Sequence, residues 1–449
     1  MQVDNTTIPG LLIVRLDVHG DNRGWFKENW QREKMVAAGL PDFHPVQQNI
    51  SFNAEKGVTR GLHAEPWDKL VSVAHGRVHG GWCDLREGSE TYCETFALEL
   101  DESVAVFVPR GVANGFQALE PNTSYAYLVN AHWSPDAEYA AASLDLIDWP
   151  LEPTEVSEKD AAKPEPTPMA PRKILVTGAN GQLGRALRTI LTGAHVEFCT
   201  REEFDITSSE RDWSQYSIII NTAAYNDVNG AESDRAGAWA VNAAAPARLA
   251  RIAAEHNLTL VHVSSDYIFD GEHCTAKVGG VPAHTEEELP SPLSAYGASK
   301  AAGDTAAQTA PKHYVIRTAW VFGEGSNFMA TMRDLALRGV EPSVVHDQRG
   351  RPTHAADLAG AIKHLLDTQA PYGVYNVTSG GDAVGRDEIA MAVFIAMGKD
   401  PSAVTPVSTE QYGQDAAARP AESTLDLSKL EATGFKPRNW RAALALYLA

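Results

Sequence analysis

Tyr296 and Lys300 stand four residues apart in SPLSAYGASKAAGD, a spacing that on a helix puts a phenol and an ammonium on one face. A free phenol titrates at about 10 and is a poor acid or base at neutral pH. A neighbouring cation lowers that value, and the phenol can then pass a proton to a carbonyl oxygen that is receiving hydride. Ser264-Ser265-Asp266 closes an apolar run, where a hydroxyl could hydrogen-bond the same oxygen. Upstream, Gly178-Ala-Asn-Gly181-Gln-Leu-Gly184 follows the strand-like run 174–177 and opens a helical stretch. Glycines there turn tightly and let backbone N–H groups and a helix N-terminus approach a pyrophosphate. The plainer readings are a packed tyrosine beside a solvated lysine, and a structural turn. The order of glycine loop, strand-end serine and Tyr-x-x-x-Lys favours a nicotinamide-dependent reductase.

A second group lies near the N-terminus, in Gly57-Val-Thr-Arg60-Gly-Leu-His63 followed by Lys69-Leu-Val. A histidine near a lysine and an arginine could abstract a proton next to a carbonyl while the lysine stabilises the enolate. A histidine satisfied inside a β-barrel is the plainer reading. A metal-binding jelly roll is another, but His63 is followed by Ala64 and Glu65, and His75 and His79 fall in a separate strand, so a ligand set is hard to assemble and no metal is expected.

The elements that must position these groups fall into two sets. Before residue 150, short β-rich runs such as LVSVAHGRVHGGW, TFALELDESVAVFVPRG and TSYAYLVN are separated by glycine, proline and acidic turns. They predict an all-β jelly roll over 1–151. Residues 152–171, rich in proline and acidic residues, read as a connector. From 172 to 449, buried apolar strands alternate with alanine-rich helices, which predicts a doubly wound parallel sheet of the Rossmann type with a smaller substrate-binding lobe.

A length of 449 residues suits two or three domains, and 44% hydrophobic residues can bury cores of that size. The net charge of −20 argues against nucleic acid and anionic membranes as partners, and a phosphorylated substrate would need a local basic pocket. Four scattered cysteines, no basic n-region and no long apolar run predict a cytoplasmic protein with reduced thiols. After the strand HVEFC come Thr200 and Arg201, and an arginine there could receive a 2′-phosphate, so NADPH is expected with NADH possible beside Glu202 and Glu203.

GANGQLG, NTAAYNDVNGAES, VNAAAP, SSDYIFDG, SPLSAYGASKAAGD, RTAWVFG, HDQRGRPT and RPAESTLD together give residues 172–449 a pattern that resembles the dTDP-4-dehydrorhamnose reductases, extended short-chain dehydrogenase/reductases. The resemblance implies Ser265, Tyr296 and Lys300 as catalytic residues. It implies Asp205, Ala223, Ala224 and Tyr225 around the cofactor, beside Gly178, Asn180, Gly181, Gln182, Leu183 and Gly184 of the glycine loop, Arg201 after the second strand, and Tyr296 and Lys300. Asp266, Trp320 and Arg419 would lie near the nucleotide-sugar, core packing being the alternative for Trp320 and a surface charge for Arg419. The chain departs from the pattern at Val228-Asn229-Gly230-Ala231-Glu232, at Glu422, and at Gly385, near the place of a common tryptophan.

DNRGWFKENW, GVTRGLH, KLVSVAHGRV, DLREGSETY, VPRGVANGF and DWP are similar to the dTDP-4-dehydrorhamnose 3,5-epimerases, metal-free cupins. That resemblance implies His63 as base, Tyr127 as opposing acid and Lys69 as enolate stabiliser, with Arg23, Glu28 and Arg60 lining the pocket. Glu65 stands where glutamine is usual and Asn114 where histidine is usual. The carboxylate expected behind the histidine aligns with Ala142 or Ser143, leaving Asp145 as the candidate substitute.

Together the resemblances imply 3,5-epimerisation of a dTDP-linked 4-keto-6-deoxy sugar followed by reduction of its C4 ketone, in a homodimer joined through the first unit. The alternatives are a reductase whose cupin only binds or dimerises, and a non-enzymatic regulatory subunit.

Overall fold

The computed structural model describes residues 1–449 apart from 136, 163 and 414–416. The chain divides into two compact units, Met1–Pro171 and Arg172–Ala449.

The first unit is two antiparallel sheets packed face to face. One runs Gln2–Asn5, Leu12–Arg15, Val104–Val108, Lys69–His75, Thr123–Val129, Gln47–Asn53, and the other Ala140–Ala141, Thr59–Ala64, Val112–Ala118, Val78–Asp84, Thr95–Leu100. Central strands such as Lys69–Val73 are buried throughout, while the edge strand Gln47–Asn53 alternates and turns Gln48, Ile50 and Phe52 to solvent. Ile8, Val71, Trp82, Val106, Phe116 and Tyr125 fill the space between the sheets. This is the expected all-β jelly roll.

Residues 152–171, read as a connector, lie against this unit. Thr154 N–H donates to the Gly57 carbonyl (3.1 Å), Thr59 N–H to Glu155 (3.1 Å), Thr167 N–H to Ala141 (3.2 Å) and Met169 N–H to Leu85 (2.7 Å). Met169 is buried. Between these anchors Ser157 caps the single turn Glu158–Ala161, accepting from the Asp160 N–H at 3.2 Å.

The second unit holds a six-stranded parallel sheet in the order Val196–Cys199, Lys173–Thr177, Tyr216–Asn221, Thr259–Ser265, His313–Thr318, Gly373–Asn376. Its strands read as apolar runs because helices cover both faces. Chain order reverses beside Lys173–Thr177, and crevices for ligands open at the carboxyl ends of strands at such a point. Phe328–Arg338, Arg386–Ala396 and Trp440–Leu448 pack into a separate small core, the expected lobe. No helix among the described residues is long and apolar enough to cross a membrane.

Candidate active sites

In the first unit a cavity of about 460 Å³ is lined by His63, Lys69, Tyr127, Arg60, Glu65, Asn114 and Asp160, among others. His63 and Lys69 sit on neighbouring stretches of opposite sheets, so the sandwich brings them together across its mouth. The carboxylate behind the histidine is Asp160, whose Oδ1 lies 2.7 Å from His63 Nε2. Ala142 is buried, Ser143 caps a short 3-10 turn, and Asp145 is exposed in that turn, so none of the three takes this place. Asp160 is not legible in the sequence because it belongs to the proline-rich stretch. The one local signal was a capping serine three residues before it.

The Asp160 side chain is 5% exposed and also accepts from the Gly61 N–H at 3.4 Å, so its position is fixed. The pairing leaves His63 Nδ1 for a substrate. Lys69 is buried, forms an ion pair with Glu65 and donates to Asn114 Oδ1 at 2.9 Å. Asn114 in turn donates to the Tyr125 hydroxyl at 3.1 Å. The two family departures therefore surround the lysine. Burial and the nearby Glu65 push the Tyr127 phenol up, which keeps it protonated.

Arg60 lines the cavity and donates to Asn53 Oδ1 at 3.1 Å. Arg23 and Glu28 do not line it. Arg23 sits in the turn of the exposed hairpin Val18–Asp21/Gly24–Lys27, where it is 85% exposed and pairs with Asp21, and Glu28 follows the hairpin and pairs with Lys34.

In the second unit the glycine loop lies between Lys173–Thr177 and the helix Gln182–Ile190, with Gly181 at its N-cap. A Cβ on Gly184 would stand 2.4 Å from the Gly178 carbonyl oxygen, so only glycine lets the helix start that close to the loop. Gly178, Asn180, Gly181, Arg201, Asp205, Ala223, Ala224 and Tyr225 line a cavity of about 420 Å³. Arg201 is 81% exposed at its rim, 3.5 Å from Asp205. Residues and shape thus fit a dinucleotide, with Gly184 acting in packing. Asn242, missed from sequence, fixes Tyr225 by accepting from its N–H (2.9 Å) and donating to its carbonyl (3.0 Å).

An adjoining cavity of about 310 Å³ is lined by Gln182, Leu183, Ser265, Asp266, Tyr296, Lys300 and Trp320. Tyr296 and Lys300 project from the helix Ala295–Ala307, whose Ser294 cap accepts from the Gly297 N–H at 3.1 Å. A Cβ on Gly297 would meet the Tyr267 carbonyl at 2.3 Å, so this glycine lets the helix bring Tyr296 against the strand end. Ser265 Oγ donates to Asp266 Oδ1 at 3.0 Å.

One electrostatic expectation is corrected. The Lys300 ammonium donates to the Val263 carbonyl at 2.6 Å, and burial lowers its pKa to about 8. The Tyr296 phenol is not lowered: burial pushes it up, Ser265 opposing. Tyr296 therefore stands protonated, the state that a proton donor needs. Burial also raises Asp266 to about 6.

Trp320 adopts φ +46 and lines the cavity with its indole N–H buried and unpartnered. Strain at such a position, worth roughly 1–3 kcal/mol, tends to mark a ligand site. Arg419 does not line the cavity, and its Nη2 donates to Asn229 Oδ1 at 3.3 Å.

Comparison with known proteins gives two family matches: the RmlD substrate binding domain over residues 172–449, and dTDP-4-dehydrorhamnose 3,5-epimerase over residues 5–166. A dTDP-4-dehydrorhamnose reductase of Mycobacterium tuberculosis is 41% identical over 286 residues, covering 62% of this chain and 92% of the relative. A protein described as an RmlC homolog from Streptococcus pyogenes serotype M6 is 48% identical over 178 residues, covering 37% of this chain and 89% of the relative. The crystal structure of a Bacillus anthracis dTDP-4-dehydrorhamnose reductase in complex with NADP matches 62% of this chain and 98% of its own, at TM-score 0.55 and 33% identity.

Proposed function

The chain belongs to the dTDP-4-dehydrorhamnose reductase family over residues 172–449 and to the dTDP-4-dehydrorhamnose 3,5-epimerase family over residues 5–166, and we propose that it makes dTDP-L-rhamnose from dTDP-4-dehydro-6-deoxy-D-glucose at two sites of one chain. One observation carries this reading: each unit holds a proton-handling set at the wall of a cavity, His63–Asp160 with Lys69 and Tyr127 in the first, Ser265, Tyr296 and Lys300 in the second.

In the substrate, C3 and C5 both flank the C4 ketone, so their protons are acidic through an enolate. His63 Nδ1 takes such a proton, and Asp160 stabilises the imidazolium that forms. Lys69 stabilises the oxyanion on the C4 oxygen. Tyr127, held protonated, delivers a proton to the opposite face, and repetition at the second carbon completes the epimerisation.

In the reductase unit, bound nicotinamide cofactor supplies hydride to C4. Tyr296 delivers a proton to the C4 oxygen, Ser265 hydrogen-bonds that oxygen, and Lys300 holds its charge beside them. NADPH is the preferred cofactor in this reading: Arg201 stands exposed where a 2′-phosphate would lie, and the B. anthracis relative binds NADP. Residues 1–151 form the epimerase barrel and 152–171 join it to the reductase, 172–449, while lending it Asp160. The protein acts as a cytoplasmic homodimer through its first unit.

The test incubates the full chain with dTDP-4-dehydro-6-deoxy-D-glucose and NADPH in D2O. Loss of absorbance at about 340 nm, with deuterium at C3 and C5 of dTDP-L-rhamnose, is the expected result. Oxidation only after a separate epimerase is added would reduce the first unit to a binding module.

A further inference from the structure

Arg386 begins the helix Arg386–Ala396 of the small lobe, and nothing in the reading above uses it. Its guanidinium stacks 4.7 Å from the Trp320 ring centroid and 5.9 Å from that of Phe328. Its Nη2 donates to the Tyr267 hydroxyl at 2.9 Å. Tyr267 meets Tyr296 edge to face, ring centroids 6.1 Å apart. Arg386 is also close enough to Asp266 to favour that carboxylate's charge. It therefore touches the strained tryptophan that lines the cavity and stands one aromatic ring, Tyr267, away from the reacting tyrosine.

Its surroundings leave it open to an anionic ligand. No carboxylate among the described residues forms an ion pair with Arg386, and its Nε is buried without a partner. Other cations of this unit have internal partners: Arg317 pairs with Asp304, Arg349 donates to the Ala383 carbonyl and pairs with Glu388, Arg351 donates to the Leu425 carbonyl, and Lys300 donates to the Val263 carbonyl. Stacking on Trp320 and the bond to Tyr267 hold the planar fork in one orientation, so little rotamer freedom remains to be lost on binding.

We propose that Arg386 is the diphosphate-binding residue of the reductase site, forming charge-assisted hydrogen bonds with the nucleotide-sugar's phosphate oxygens while Trp320 holds its fork in plane. The inference rests on the reductase reading and names how that site selects its substrate. In a chain of net charge −20, an anionic substrate needs one cation free of internal carboxylates, and Arg386 meets that need. The buried and unpartnered Nε of Arg386 and indole N–H of Trp320 are two donors still lacking an acceptor beside that cation.

The test uses the full chain with an excess of a separate 3,5-epimerase, so that reduction limits the rate, and compares Arg386→Gln and Arg386→Lys with the unaltered chain. For Arg386→Gln the KM for nucleotide-sugar rises roughly 10- to 100-fold, as expected for losing a charged hydrogen-bonding partner. The KM for NADPH stays unchanged, and Arg386→Lys falls between. Inhibition by dTDP weakens in the same proportion, whereas inhibition by thymidine does not move. A nucleotide-sugar KM within twofold of the unaltered chain overturns the inference, as does an equal rise in KM for NADPH or in the thymidine inhibition constant, which would mark a structural role. Failure of the unaltered chain to oxidise NADPH overturns the reductase reading and the inference with it.

Discussion

Asp160 Oδ1 lies 2.7 Å from His63 Nε2, although the two residues are 97 positions apart and the aspartate belongs to the proline-rich stretch after the barrel. The partner of the proposed base is thus supplied by a segment whose composition reads as a connector. Asp160→Asn keeps the shape and removes the charge that stabilises imidazolium. Deuterium incorporation at C3 and C5 falls by roughly 10²–10⁴-fold, the range set by loss of positioned acid–base catalysis. Reduction of epimerised substrate supplied from outside is unchanged. A slower reduction as well would mean that Asp160 serves the fold of the whole chain.

Tyr296→Phe separates the two activities from the other side. The helix Ala295–Ala307 places this phenol against Ser265 at the end of Thr259–Ser265, so its removal takes away the proposed proton donor while the ring still lines the cavity. NADPH oxidation drops roughly 10²–10⁴-fold. Exchange of deuterium into the keto sugar by the first unit continues at the unaltered rate, read by NMR.

Two shifted groups set the pH dependence of reduction. Burial raises Asp266 to about 6, so the carboxylate that would accept from a sugar hydroxyl at its free Oδ2 is lost as pH falls through about 6. Burial lowers Lys300 to about 8 despite Asp304 nearby, so its charge is lost as pH rises through about 8. The profile of kcat/KM for nucleotide-sugar is a bell with limbs near these values, since that ratio reports the free enzyme. A flat profile between pH 5 and 9 would remove both groups from the mechanism.

How far the sequence carried these sites depends on whether their geometry is local. The glycine loop and Tyr296–Lys300 were legible because a strand-to-turn-to-helix transition and a helical i, i+4 spacing fix them within a few residues. Their electrostatics were not. The expected lowering of the phenol fails because burial pushes it up, while Lys300 gives its ammonium to the Val263 carbonyl, a contact between a helix and a strand that no spacing reveals. Asp160 escaped for a related reason: its place depends on how residues 152–171 cross the barrel, through bonds to Gly57, Ala141 and Leu85. Arg23 and Glu28 follow the family pattern in sequence, yet the hairpin that carries them leaves the cavity of its own barrel.

Gly184→Ala tests the cofactor loop. The added Cβ would fall 2.4 Å from the Gly178 carbonyl oxygen and 2.8 Å from Ala179 Cα, both backbone atoms that cannot swing aside. Overpacking of this kind costs about 1–3 kcal/mol. The second unit melts at a lower temperature, and the KM for NADPH rises while epimerisation is untouched. An unchanged Tm and KM would show that the loop relaxes freely.

Arg23 and Glu28 lie away from the cavity of their own barrel. Their hairpin exposes Trp25 (44%) and Phe26 (67%), and the edge strand Gln47–Asn53 exposes Ile50 (65%) and Phe52 (59%). Apolar side chains of this size, gathered on one hairpin and one sheet edge of an otherwise acidic protein, suit a contact between two copies. Because Arg23 and Glu28 do not line their own cavity, the prediction for the homodimer proposed above is that each site combines His63 with Arg23 of the partner subunit. Arg23→Ala and His63→Ala chains are then each deficient in epimerisation alone. Mixed after reversible dissociation, they regain activity at roughly a quarter of the sites, because random pairing leaves one intact site in each mixed dimer. Light scattering of Phe26→Asp gives the companion measurement, a shift from dimer to monomer. A monomeric unaltered chain, or a mixture no more active than its components, would return Arg23 and Glu28 to a surface role.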